Sequence, residues 1–362
     1  MKKSRLKLII NALTAGLCVI LFAYLAISLL TADLSKALTI LLSLITGVIV
    51  TYLLNSIIHE LGHLVVGLIS GLKFSSIQFL WLYIGKEQGK IKIRLKNSNG
   101  EVGITELNPT SKDKVLEKYV SSALGGLVAS FLLLTAQIII ALFSKSLIVY
   151  ASLGVTFPIT AYILLINAFP VFENNDGYFI YTYLQGGEIR QVCKNYYEAT
   201  ALLYSGVEPS ELEPSLLIDY QVENEYSVGI RYLRYLAYLQ SDEERAIKEL
   251  RKISDLSKFT SIREEVFEEL FFSALTIGDD KFVKTYEQDA VRIFEKENRP
   301  QSYRAHAVYR IKNGEIDWAK LILKSGIKFC DSYAVKGVAK AEKRYMQLIL
   351  NNLGLSQSLT DF

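Results

Sequence analysis

Two of the three histidines in this 362-residue chain stand four positions apart, in His59-Glu60-Leu61-Gly62-His63. On an α-helix that spacing puts both imidazoles on one face, within reach of a single zinc ion. Glu60 lies between them, positioned to take a proton from a water that the metal activates. Zinc lowers the pKa of such a water to about 7, so hydroxide is available at neutral pH. The surrounding stretch, NSIIHELGHLVVGLISG over 55–71, is as apolar as a membrane span. Three ionisable groups within five residues of such a segment are costly without a function.

A third ligand is needed, and the soluble arrangements fail. The extended motif with a third histidine requires Gly where Val66 stands. Glu87 falls in a strand-like loop. A better candidate lies in NAFPVFENNDGY over 167–178, where Pro170 must break a helix and Asp176-Gly177 can restart one. An Asp on a broken membrane helix completes a His, His, carboxylate set and leaves a fourth position for water. Glu173, Asn174 and Asn175 compete for places around the metal, or serve only to satisfy backbone groups freed by the break. His306, far from these, reads as a surface or interhelix histidine. Cys18, Cys193 and Cys330 are too scattered for a disulfide framework or a thiolate metal site.

The elements that must position these residues are membrane helices. Hydrophobic residues make up 51% of the chain and crowd into its first half. Runs at 8–31, 37–58, 119–143 and 147–169 are each long enough to cross about 30 Å of hydrocarbon. The first follows a basic start but exceeds a signal-peptide core, so it reads as an uncleaved helix. Lysines and arginines precede it and fill the loop between the second and third runs, whereas the other loops hold only Lys36 and Lys145. The positive-inside rule then sets both termini in the cytoplasm of a multi-pass cell-membrane protein. A net charge of +3 gives no field for nucleic acid.

Within the basic loop, an insert over about 73–107, Lys90 to Lys96 alternates basic and apolar residues, and Asn97 to Gly100 is a turn cluster before an extended run to Leu107. This reads as a β-hairpin that covers the cytoplasmic mouth or offers an edge strand to an extended substrate. After Gly186-Gly187 the sequence turns charged and Tyr-rich, with paired amphipathic helices separated by turns at Gln240-Ser241-Asp242, Ile277-Gly278-Asp279 and Lys312-Asn313-Gly314. The expected architecture is an all-α polytopic membrane protein with about four transmembrane helices and a small hairpin. Its N-terminal helix and external loop occupy 1–36, its membrane core 37–187, and a cytoplasmic tetratricopeptide-like helical repeat domain 188–362. Such a repeat domain binds a protein or peptide, or serves as a structural cap.

The chain resembles the site-2 protease family of intramembrane metalloproteases. His59, Glu60 and His63 match that family's first core helix, Gly125-Gly126 its glycine-rich second, and Asn167, Pro170, Asp176 and Gly177 its third; the likeness covers about residues 37–187. It implies that His59, His63 and Asp176 hold Zn2+, that Glu60 is general base and acid, and that Asn167 touches substrate or transition state. Ala168 and Asn175 depart from the family pattern, and one extra residue separates Asn167 from Asp176. Gly125-Gly126 also suits plain helix packing. The implied substrate is a membrane-embedded peptide or single-pass protein, reached through the lipid bilayer and cut in or near its membrane segment. Two other readings are a non-hydrolytic scaffold that recruits partners through its repeats, and an accessory to peptide maturation or export.

Overall fold

A computed structural model describes residues 16, 34–87, 90–96, 103–170, 175–253, 263–295 and 299–360. The expected first span, the turn cluster at 97–100, and Glu173 and Asn174 lie outside these residues. The protein is mostly helical with one small antiparallel sheet. It divides into two compact units, Met1–Asn108 with Leu116–Gly186, and Pro109–Val115 with Gly187–Phe362.

In the first unit, helix α1 (Leu34–Ile69) runs through the His-Glu-x-x-His motif. The helix carries the apolar run expected over 37–58 on through the motif and closes at Gly71. There φ turns to +90°, and Leu72 N–H bonds Gly67 O while Gly71 N–H bonds Leu68 O. This paired closure at a left-handed glycine satisfies carbonyls that a helix end otherwise leaves bare. Helix α2 (Val115–Phe143) and helix α3 (Leu147–Ala168) follow the sheet. Among the described residues two helical stretches, Ile45–Ile69 and Val115–Phe143, are long and apolar enough to cross a membrane, and Ser152–Ala168 is a shorter apolar one. Their outer faces carry uncovered apolar side chains, such as Phe131, Leu132 and Leu142.

The sheet corrects both the all-α expectation and the hairpin. Strands β1 (Lys73–Phe79), β2 (Leu82–Glu87), β3 (Lys90–Leu95) and β4 (Gly103–Asn108) are antiparallel in the order β3-β2-β1-β4. The two segments expected to pair with each other therefore lie at opposite edges. β3 pairs with β2, Leu82 opposite Leu95, whereas β4 pairs with β1, Phe79 opposite Gly103. Alternation on β3 does not mark a buried face, since Ile93 and Leu95 are 68% and 80% exposed. The strand next to α1 is β4, whose Leu107 is buried and packs over Gly67.

The second unit contains α5 (Gly187–Ser205), α6 (Glu225–Tyr238), α7 (Glu243–Arg251), α8 (Arg263–Ile277), α9 (Asp280–Phe294), α10 (Pro300–Lys312), α11 (Ile316–Cys330) and α12 (Lys336–Thr360). Short helix α4 (Asp176–Gln185) precedes them in the first unit. Asn224, Asp242 and Asp279 cap α6, α7 and α9, each accepting a backbone N–H three residues on. A buried charge network holds the middle together. Arg304, fully buried, meets Glu269 and Glu342 at 2.7 Å each, and Tyr235 Oη donates to Glu269 at 2.6 Å. Removing one partner of such a pair costs about 3–5 kcal/mol, because it strands a buried charge. His306 is buried rather than on the surface, stacked on Phe294, and burial with Arg310 nearby pushes its pKa down to about 4. Cys193 and Cys330 are free, buried thiols that burial raises to about 12.

Burial pushes the Glu268 carboxyl up to about 7, against the pull of Arg299 at 3.2 Å. A carboxyl with a raised folded pKa favours the fold while protonated, and that contribution fades as pH rises from the ordinary carboxylate range through 7. Unfolding of a Trp81→Phe chain, followed through Trp318, is thus expected to show stability falling by up to about 3 kcal/mol between pH 4.5 and 7.5 from this group. Adding Glu268→Gln should flatten that decline; parallel pH profiles for the two chains would contradict the assignment.

Candidate metal centre

Helix α1 presents His59, Glu60 and His63 toward the start of α4 and toward β4. His59 Nε2 and His63 Nε2 lie 3.1 Å apart, and Asp176 Oδ2 sits 3.1 Å from the first and 3.3 Å from the second. Donors arranged tetrahedrally at about 2.0–2.1 Å from one zinc ion are about 3.3 Å from each other, so this triangle has the size a zinc site requires.

The far side of each ring fixes which nitrogen faces inward. His59 Nδ1 lies 3.1 Å from Gly126 O and 2.9 Å from Ser130 Oγ, and His63 Nδ1 lies 2.8 Å from Ser122 O. A carbonyl only accepts, so Nδ1 carries the proton in each neutral ring and Nε2 presents its lone pair. Asp176 Oδ2 is buried with no hydrogen bond of proper geometry. Two lone pairs and a carboxylate oxygen converging at contact distance repel one another unless a proton or a metal cation lies among them. The donors therefore fit a divalent metal, and two nitrogens with one carboxylate suit zinc.

Glu60 offers a carboxylate close enough that its oxygen and the two imidazole nitrogens all lie within 4.8 Å of one another. Thr105 Oγ1 on β4 donates to Glu60 Oε2 at 2.7 Å. A Cβ on Gly103 would lie 2.7 Å from Glu60 Oε1, so that glycine lets the strand come this close. His59, Glu60 and His63 thus form one group that could hold a metal, and the triangle with Asp176 is the tighter of the two.

Glycine also sets the helix spacing. A Cβ on Gly62 would strike Gly125 O, one on Gly125 would lie 2.6 Å from Val66 Cβ, and one on Gly126 would run into the His63 imidazole. Gly125-Gly126 thus makes room for the helix crossing and for the His63 imidazole at once. At the break after α3, Asn175 caps α4 by accepting from Tyr178 N–H at 2.8 Å, while its amide donates to Phe169 O at 2.8 Å and to Ile166 O. Asp176 begins α4, and Gly177 fits against the Ala168 and Asn167 backbone. Asn167 itself is half-buried near the end of α3, with its carbonyl turned to Gly177. Glu87 ends β2.

Sequence reasoning missed Ser122, Ser130 and Thr105, since a lone hydroxyl on an apolar helix or a strand has no spacing signature. Asn175 had one: it immediately precedes the restarting helix, the preferred position of a capping Asn.

Ser130→Ala is expected to weaken zinc binding about tenfold or more by freeing the His59 ring, with helix content unchanged. Gly126→Ala should weaken it further. Competition against a chromogenic chelator measures both, and wild-type affinity in either variant would contradict the geometry. Asn175→Ala should lower stability by about 1–2 kcal/mol through loss of the cap.

No family model matches the chain, and no curated protein or solved structure is similar to it.

Proposed function

We propose that the protein is a zinc-dependent intramembrane endopeptidase of the site-2 protease type. In this reading it is a multi-pass cell-membrane protein with four spans and both termini in the cytoplasm, and 188–362 is a helical repeat domain that binds a protein or peptide. The observation that carries the proposal is the 3.1–3.3 Å triangle of His59 Nε2, His63 Nε2 and Asp176 Oδ2, with the Glu60 carboxylate beside it. Both imidazoles and Glu60 lie on a helix that has the length and apolarity of a membrane span.

Zinc held by His59, His63 and Asp176 would supply Lewis-acid polarisation of water and of the scissile carbonyl. Glu60 takes the proton from the attacking water and returns it to the leaving amine, which needs a carboxylate aimed but not itself consumed as a ligand. The Thr105 hydroxyl fixes that aim by holding Oε2. β4 is a sheet edge, and its Gly103 and Thr105 border Glu60. An unwound substrate segment pairing with this edge by main-chain hydrogen bonds would run past the base, giving selection for extended conformation and not for sequence. Asn167 is assigned to substrate contact from the family likeness. The substrate is a transmembrane segment or signal-peptide-like membrane peptide.

The test is reconstitution with a membrane-spanning substrate. Glu60→Gln is expected to cut the cleavage rate by roughly a hundredfold to ten-thousandfold while keeping zinc near one equivalent. His59→Ala and Asp176→Ala should lose metal and activity together. Equal cleavage by Glu60→Gln and wild type would end the proposal, and wild-type chain without zinc would favour a binding-only scaffold.

A further inference from the structure

Beyond the metal centre, α1, α2 and α3 enclose a second polar group at membrane depth. Asn55 Nδ2 donates to Thr160 Oγ1 and to Thr51 O, both at 2.9 Å, and Gln137 Nε2 donates to the same Thr160 oxygen at 2.9 Å. Thr160 Oγ1 in turn donates to Thr156 O at 3.1 Å. Asn55 is 1% exposed, Thr160 0% and Gln137 8%. The remaining polar atoms, Asn55 Oδ1 and Gln137 Oε1, are buried without a hydrogen-bond donor among the described residues. Amide oxygens seek donors, and in hydrocarbon only water or protein can supply them.

A groove opens beside this group, one residue layer from Asn55 and Thr160. A cavity of about 520 Å³ is lined by Thr46, Gly47, Thr51, Ser152 and Thr156, with Leu42 and Val50 at its sides. Thr51 and Thr156, whose carbonyls the cluster bonds, are thus also walls of the groove. In the other direction Asn55 stands one helical turn before His59, and Gln137 two turns after Ser130, whose hydroxyl touches His59 Nδ1. The polar side chains form a continuous stripe on α1 (Thr51, Asn55, His59) matched by α2 and α3.

We infer that this groove is a hydrated vestibule in which water penetrates from the Leu34 end of α1 to Asn55, Gln137 and Thr160, one turn short of the metal ligands. The ligand is water itself: neutral oxygens and amides without a carboxylate suit a water chain and lack the charge a divalent cation needs. The inference rests on the membrane placement of α1 and not on the protease reading.

Thiol accessibility in the full-length chain tests it, because only the thiolate reacts and thiolate forms in water. Thr51→Cys and Ser152→Cys, on the groove wall, are compared with Ile49→Cys, whose apolar side chain is 56% exposed on the outer face. A charged, membrane-impermeant methanethiosulfonate reagent is applied to sealed vesicles from each side in turn, with the parent chain's own cysteines as background. Modification of Thr51→Cys and Ser152→Cys about tenfold or more faster than Ile49→Cys is expected, from one side only. Comparably slow reaction at all three would overturn the vestibule while leaving the membrane placement intact. Comparably fast reaction at all three would overturn both. Thr160→Val guards against a local packing artefact: in its background the Ser152→Cys rate at the mouth should persist and the Thr51→Cys rate should fall, and an unchanged Thr51→Cys rate would overturn the continuity to Thr160.

Discussion

The first unit is organised around an electrostatic conflict. Two imidazole lone pairs and a carboxylate oxygen from two separate helices are pressed to within 3.3 Å of each other in a nearly dry interior. With the Nδ1 protons turned outward to Gly126, Ser122 and Ser130, only a further proton or a metal cation among the three atoms relieves that repulsion. A divalent cation resolves it completely. Metal binding at this triangle would couple to folding of the region, because the bound ion would remove contacts that are unfavourable without it.

Close approach of backbones is what makes the conflict geometrically possible. Gly62, Gly125 and Gly126 strip side chains from the crossing of α1 and α2, so Gly126 and Ser122 carbonyls can reach imidazoles on the neighbouring helix. Among helices in lipid such contacts replace the hydrophobic drive that water would supply. The same reasoning explains Gly103, where a strand in place of a helix comes up against Glu60. The site is built from helices and one strand, and glycines stand where they meet.

The sequence was legible where chemistry imposes a fixed spacing. His59 and His63 are four apart because one helix must offer both, and Asp176-Gly177 follows Pro170 because a broken helix has to restart. Pairing of strands was not legible. Alternation over Lys90 to Lys96 and the turn residues after it suggested neighbours, but β4 pairs with β1, where Leu107 can cover Gly67 on α1. Long-range contact won over local turn chemistry. The hydroxyls that orient the site were also hidden, because Ser130 and Thr105 act through tertiary proximity alone. Asn175, a departure from the family pattern by its position, takes a structural task in the break that a leucine lacks the polar atoms to perform.

That task has a mechanical consequence. Asn175 bonds the last turn of α3 through Ile166 and Phe169 while seating the first turn of α4, so these two helix ends are tied to each other. Asp176 is the next residue. A tilt of α3 relative to α1 would therefore carry the Asp176 carboxylate with it and alter its distance to the imidazoles. Metal retention at this site would then gauge how far the two helices have parted, and by reciprocity a bound ion would resist their parting.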